Sequence, residues 1–215
     1  MKEKVSVVIT SYNSDKFIER SLNSVLNQTF KCYELIIVDD CSIDSTVLII
    51  KKYQKKYSNI RLFINKVNKG GPAHGRNVGI KKSAGNYIAF LDADDFWYPK
   101  KIEKQILILK NKNYSICGCR PINKNLKFKK GTITLNNLII RNRLYLSSTF
   151  YDLDEIKKNK LTFNESNSYH GVEDYDFIIR CSLLDMKIYN LDDKLISYSE
   201  NEYSLSHIDY NLNER

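Results

Sequence analysis

Four times in the first 111 residues, a short run of β-branched and aliphatic residues gives way to a polar turn and then to a helix-like apolar stripe. The runs are 5–10, 33–38, 60–64 and 87–91. Each is too short for a core helix and apolar on both faces, the pattern of a buried strand in a parallel sheet. After the first run, Ser14 or Asp15 opens a helix with Phe17, Ile18, Leu22, Val25 and Leu26 inward. Ser42 or Asp44 opens a second, with Val47, Ile50 and Tyr53 inward. A third runs over 73–83 with Gly85 as its C-terminal cap, and Pro99 begins a fourth that reaches about Lys110. This alternation predicts an α/β fold: a doubly wound, Rossmann-like sandwich with a central, mostly parallel sheet flanked by helices.

In such sheets ligands bind beyond the carboxyl ends of the strands. Three of the four runs deliver polar groups there, which places Tyr12, Asp39, Asp40, Asp92 and Asp94 around one crevice. The fourth run ends abruptly in Asp92-Ala93-Asp94-Asp95. Carboxylates so close repel one another unless a hard divalent cation sits among them, and such a cation commonly also holds substrate phosphates. Asp-x-Asp alone reads equally well as a solvated acidic turn. The convergence of several strand ends favours a metal–diphosphate site.

Beyond Lys112 the pattern loosens. A strand is expected over 114–119, a basic loop over 120–131, a short helix over 134–142 and a strand over 144–150. An amphipathic helix over 172–185 has Tyr175, Ile178, Ile179 and Leu183 on one face. Glu173 and Asp174 stand at its start, where carboxylates suit the helix dipole. One or two strands follow over 188–198, then a polar tail.

The net charge of +9 comes with lysine-rich stretches at 51–56, 100–112 and 157–160, read most simply as solvated helix faces. The other reading is attraction to anionic lipid or to a phosphate-bearing substrate. Nucleic acid is not an expected partner, because no recognition motif accompanies the charge. Five cysteines, an odd number without a Cys-x-x-Cys pair, point to reduced thiols in a cytosolic protein. No run is long enough to span a bilayer and no signal peptide is evident, so a cytoplasmic protein is expected, with peripheral contact at the inner membrane face as an option.

Four blocks, in order, resemble family 2 glycosyltransferases with the GT-A fold: S-V-V-I-T-S-Y-N-S at 6–14, L-I-I-V-D-D-C-S-I-D-S-T at 35–46, the long segment 70–103 and E-D-Y-D-F-I-I-R at 173–180. The resemblance implies one GT-A domain over 1–215, with a nucleotide-sugar half at 1–111, a smaller acceptor and catalytic-base half at 112–206 and a tail at 207–215. It implies an inverting, metal-dependent enzyme that moves a sugar from a UDP-sugar to a glycan or lipid-linked hydroxyl, in bacterial surface polysaccharide or lipooligosaccharide synthesis. By this resemblance Thr10, Tyr12 and either Asp39 or Asp40 meet the nucleotide base. Gly70 and Gly71 let the backbone approach the ligand, and Arg76 meets the diphosphate or sugar. Asp92 and Asp94, flanking Ala93, take Mn²⁺ or Mg²⁺ together with the donor, Asp94 on the metal itself. Asp174 is the catalytic base, Glu173 and His170 are acceptor contacts, and Trp97 floors the sugar pocket or packs beneath it. Asn201 stands where many members carry a metal-binding His, which leaves that place to water or to His207. This departure keeps open a non-catalytic nucleotide-sugar-binding subunit; a sugar nucleotidyltransferase lacks its Gly-rich loop here. The identity of the sugar, the acceptor and the oligomeric state are not assigned by these motifs.

Overall fold

The computed structural model describes residues 3–111, 113–123, 130–140 and 144–199. The first half alternates as the sequence predicts: β1 Val5–Ser11, α1 Ile18–Leu26, β2 Glu34–Asp39, α2 Thr46–Lys56, β3 Ile60–Ile64, α3 Pro72–Lys82 and β4 Tyr87–Asp92. A two-residue strand β5, Phe96–Trp97, precedes α4, Lys101–Lys110. The second half contains β6 Ile116–Pro121, β7 Gly131–Ile133, α5 Leu135–Ile140, β8 Phe150–Asp152, α6 Leu153–Lys158, α7 Glu173–Leu183 and β9 Ile188–Ser197. All nine strands join one sheet in the order β3-β2-β1-β4-β8-β6-β9-β5, with β7 pairing β9. The block β3-β2-β1-β4 is parallel throughout. From β8 onward the pairings are antiparallel, except β6 with β9.

Because both faces of β1, β2 and β4 are covered, these strands are largely apolar along their middles, while β3 at the sheet edge buries only Ile60. Val5, Val7 and Ile9 of β1 pack with α1, α2 and α4, whereas Val8 packs with α3 and α7 on the other face. Tyr151 of β8 and Phe177 of α7 extend that second layer, with Phe163 stacked on Phe177 at 4.1 Å between ring centres.

Gly79 marks the closest helix–sheet contact. A Cβ there would fall 2.4 Å from Val8 Cγ1 and 2.7 Å from Val8 Cγ2. Alanine gains about 1 kcal/mol over glycine within a helix, but overpacking a tight core costs about 1–3 kcal/mol. The depth of this clash puts Gly79→Ala near the upper figure. The variant is expected to unfold at lower urea concentration than the natural protein, and an unchanged midpoint would show that α3 can lift off β1.

Four local expectations need correction. Gly85 is not a left-handed helix cap. It lies where β1 approaches closely, and a Cβ would sit 2.7 Å from the Lys4 carbonyl oxygen. Residues 144–150 are not one strand: Leu146–Ser148 is a 3₁₀ turn ahead of β8. Its hydroxyls close the turn, Ser148 Oγ donating to the Tyr145 carbonyl at 2.6 Å and Thr149 Oγ1 to that of Leu146 at 2.7 Å. In α7 the inward face is Phe177, Ile178 and Cys181, while Leu183 is exposed. Finally, Lys101 belongs to no solvated face, because it is fully buried.

Candidate functional site

The carboxyl ends of β1, β2 and β4 lie side by side, with Thr10 paired to Val38 on one flank and to Asp92 on the other. Tyr12, just past β1, is half exposed, and its ring is open to a stacking partner. The two acids after β2 divide their work. Asp39 is fully buried and accepts from Ser11 Oγ at 2.9 Å, Ser42 Oγ at 2.6 Å and the Ser42 amide at 2.9 Å. It fastens the loop after β2 to β1, so of the two acids expected to face a base, Asp39 is the one withdrawn. Asp40 stays at the surface and accepts from the Lys69 amide at 2.9 Å and from Asn65 Nδ2 at 2.8 Å. It thereby draws the 65–69 loop beside Tyr12's loop.

That loop ends at Gly70, with φ +79°, and Gly71, the residue before α3. The His170 ring packs against this glycine pair, 3.4 Å from where a Gly71 Cβ would be. His170 is thus set over the end of the 65–71 loop. His74, also on α3, pairs with Glu165 at 3.0 Å. Asn77 clamps the backbone of Phe163, donating to its carbonyl at 2.9 Å and accepting from its amide at 2.7 Å.

Arg76 faces inward from the same helix. Its Nη2 donates to Asp92 Oδ1 at 2.9 Å and its Nη1 to Glu173 Oε1 at 2.7 Å. Its guanidinium was expected to reach a diphosphate or sugar. Instead it is 4 % exposed and joins the end of β4 to the start of α7. Burial works against its charge, but the carboxylates of Asp92, Glu173 and Asp174 outweigh burial and raise its pKa. Glu173 is likewise buried and held by Arg76. Arg76 Nε and Glu173 Oε2 are buried without a hydrogen-bond partner among the described residues.

Asp174, one residue on, is half-buried, and its Oδ1 accepts from the Tyr175 amide at 2.7 Å. Desolvation raises its pKa to about 6, Arg76 opposing the rise and Glu173 and Asp92 adding to it. A carboxylate whose pKa sits just below neutrality is ionised at pH 7 and still basic enough to accept a proton in a transition state.

The Asp92–Asp95 turn is held by its backbone. Ser21 Oγ of α1 reaches the carbonyls of Ala93 at 2.6 Å and Asp95 at 2.5 Å. Arg20 Nη2 and Ser199 Oγ both donate to the Asp94 carbonyl, and the Ser199 amide donates to Asp95 Oδ1 at 2.8 Å. From below, Ser147 Oγ accepts from the Asp92 amide at 3.2 Å. No sequence motif announces Arg20, Ser21, Ser147 or Ser199, because each acts by a side-chain bond to the backbone of the turn.

Asp95 is buried, and desolvation together with the charges of Asp92 and Asp94 raises its pKa well above the usual carboxylate range. Asp92 and Asp94 remain as half-exposed oxygen donors at the edge of the cleft. Their charge presses on Asp95, and two hard oxygen donors of this kind fit a hard divalent cation. Asn201 and His207 lie outside the described residues. Trp97 does not line a pocket: it is buried, donates Nε1 to the Ser147 carbonyl at 2.8 Å and carries Lys101 on its face.

Comparison with known proteins agrees with this layout. The family model described as glycosyl transferase family 2 matches residues 6–176. An uncharacterized glycosyltransferase of Haemophilus influenzae is 31 % identical over 184 residues, covering 82 % of this chain and 71 % of its own length. The poly(ribitol-phosphate) beta-glucosyltransferase of Bacillus spizizenii is 34 % identical over 198 residues, covering 86 % of this chain but only 30 % of its own. The crystal structure of residues 1–349 of S. aureus TarS in complex with UDP-GlcNAc superposes with a TM-score of 0.81 at 28 % identity, covering 95 % of this chain and 61 % of that one. The sheet order and its flanking helices are thus those of a GT-A glycosyltransferase.

Proposed function

This chain belongs to glycosyl transferase family 2, and on that premise we propose that it is an inverting glycosyltransferase using a UDP-sugar and a hydroxyl acceptor. The observation that carries the reading is the half-buried Asp174, with its pKa near 6, tied through Glu173, Arg76 and Asp92 to the acidic end of β4. Donor side and base side belong to one connected framework.

In this reading Tyr12 stacks on the nucleobase and Asp40 accepts from it, with Thr10 beside them. The Gly70–Gly71 backbone lies along the diphosphate under the His170 ring. Asp92 and Asp94 hold Mn²⁺ or Mg²⁺, which when bound would neutralise charge on the departing diphosphate. Asp174 takes the proton of the acceptor hydroxyl as that oxygen attacks the anomeric carbon from the face opposite the leaving group. One displacement inverts the centre and needs no covalent sugar–enzyme intermediate. Arg76 keeps Glu173 and Asp92 in register and touches no substrate.

Residues 112–206 supply the acceptor side, and the acceptor is a glycan or lipid-linked polymer of the bacterial surface. Two relatives named for poly(ribitol-phosphate) support a polyanionic surface polymer as its class. The net charge of +9 supports work at the cytoplasmic face of an anionic membrane. No helix among the described residues is long and apolar enough to cross one.

The test is a donor screen: purified protein with UDP-, GDP-, CMP- and dTDP-sugars, with and without a poly(ribitol-phosphate) acceptor, with Mn²⁺, Mg²⁺ or chelator. UDP release from one UDP-sugar, abolished by chelator, is expected. Asp94→Asn is expected to lower that release about 10²-fold or more, as losing several kcal/mol of charge stabilisation requires. Metal-dependent UDP binding without turnover on any acceptor would instead favour a donor-binding subunit. Absence of any nucleotide binding would overturn the proposal.

A further inference from the structure

One buried cluster has no part in the chemistry above. Lys101 is fully buried and forms no ion pair among the described residues. Burying an ammonium without a carboxylate is costly, and burial pulls the Lys101 pKa down to about 8. Its Nζ donates to Gln105 Oε1 at 2.8 Å, lies 3.5 Å from the Thr149 carbonyl oxygen and sits 4.0 Å above the centre of the Trp97 ring. Gln105 Nε2 in turn donates to the carbonyls of Cys117 at 2.7 Å and Ser148 at 2.8 Å. These bonds lock the Leu146–Ser148 turn from beneath.

From its upper side the same turn holds the acidic loop at both ends. Ser147 Oγ accepts from the amide of Asp92, where the loop begins, and the Ser147 carbonyl accepts from Trp97 Nε1, where the loop ends. The Ser147 hydroxyl also bears on the buried carboxyl of Asp95. Two bonds from a single residue therefore fix the span in which Asp92 and Asp94 are presented.

We propose that Ser147, on a turn locked by Lys101 and Gln105, is a positioning residue that sets the spacing of Asp92 and Asp94 for a divalent cation. The inference rests on reading those two carboxylates as the cation site. Groups that orient metal ligands typically contribute about 10–100-fold to metal affinity, although they touch neither metal nor substrate.

The experiment measures Mn²⁺-dependent UDP binding by calorimetry and thermal unfolding without metal, for the natural protein, Ser147→Ala and Trp97→Phe. Trp97→Phe keeps a ring beneath Lys101 but loses the Nε1 donor together with part of the buried indole, and the melting temperature measured alongside reports the packing share; it tests the same link if Ser147→Ala does not fold. The expected result is a folded variant whose Mn²⁺-dependent UDP affinity falls about tenfold, with metal-free UDP affinity unchanged. Folded variants that bind Mn²⁺ and UDP like the natural protein, whatever their melting temperature, would overturn the inference and leave the cation site standing. Lack of Mn²⁺-dependent binding in the natural protein itself would remove the cation site and the inference together.

Discussion

Asp174→Asn is expected to slow sugar transfer by about 10²–10⁴-fold, the usual contribution of a positioned general base, while UDP-sugar affinity stays within a factor of about 2, as for a group whose interaction is made in the transition state. Asparagine keeps the shape of the side chain, and its oxygen can still accept from the Tyr175 amide that Asp174 now holds at 2.7 Å. It cannot take a proton.

The pH dependence follows from the same group. Burial raises the Asp174 pKa to about 6, so the basic form is lost as pH falls through 6. Transfer by the natural protein should fall with it, and the residual activity of Asp174→Asn should show no such limb. Stability runs the other way. A carboxyl whose pKa is raised in the folded state stabilises the fold fully below its unfolded value, about 3.9, and that share is lost as pH rises through about 6. At neutral pH the ionised Asp174 is held at a cost to stability, so Asp174→Asn should melt no lower than the natural protein. An equal loss of donor affinity and turnover, or a fall in melting temperature, would reassign Asp174 to a structural role. Stability sacrificed at a reactive group is a common feature of enzyme sites.

The parts of the fold that repeat were readable from sequence because burial on both faces leaves a plain signature. The run at 87–91 nearly coincides with β4 because a parallel strand covered on both sides tolerates few polar residues, whereas the run at 60–64 coincides with β3 although that edge strand buries only Ile60. The 3₁₀ turn at Leu146–Ser148 was not readable: its sequence looks apolar and extended, and the turn depends on hydroxyls bonding backward to carbonyls. The site behaves similarly. Carboxylates at a strand end announce Asp92 and Asp94, whereas Asp174, in the first turn of α7, stands out only through the resemblance of the 173–180 segment to the family. Whether an arginine meets a ligand or a neighbouring acid depends on which face of α3 it occupies, and α3 is apolar on no clear side because Gly75 and Gly79 pack its inner face. Lys101 was misread for a related reason. Lysine in a helix is nearly always solvated, and only the packing of Trp97, Gln105 and Thr149 around it reveals a buried amine.

Arg76→Met is expected to be the most destabilising single change among the site residues. Methionine fills much of the same volume but leaves Glu173 as a buried charge without its cation and Asp92 without its partner. Removing one partner of a buried ion pair costs about 3–5 kcal/mol, and the lower figure applies to the extent that Asp92, with a third of its side chain exposed, is rehydrated. Lysine is not expected to rescue, because a single ammonium cannot bridge two carboxylates with the spread of a guanidinium. The double variant Arg76→Met with Glu173→Gln should regain a large part of the loss, since the uncompensated charge is then gone. A double-mutant cycle on urea unfolding measures that coupling. The same variants report on catalysis through a separate observable. The Arg76 charge opposes the rise in the Asp174 pKa, so its removal lets burial and the charges of Glu173 and Asp92 push Asp174 higher. The acid limb of activity in folded Arg76→Met should therefore move above pH 6. Movement of the limb together with lost stability would show that Arg76 sets both the geometry and the proton affinity of the base. Loss of stability with the limb unmoved would confine Arg76 to holding β4 and α7 together.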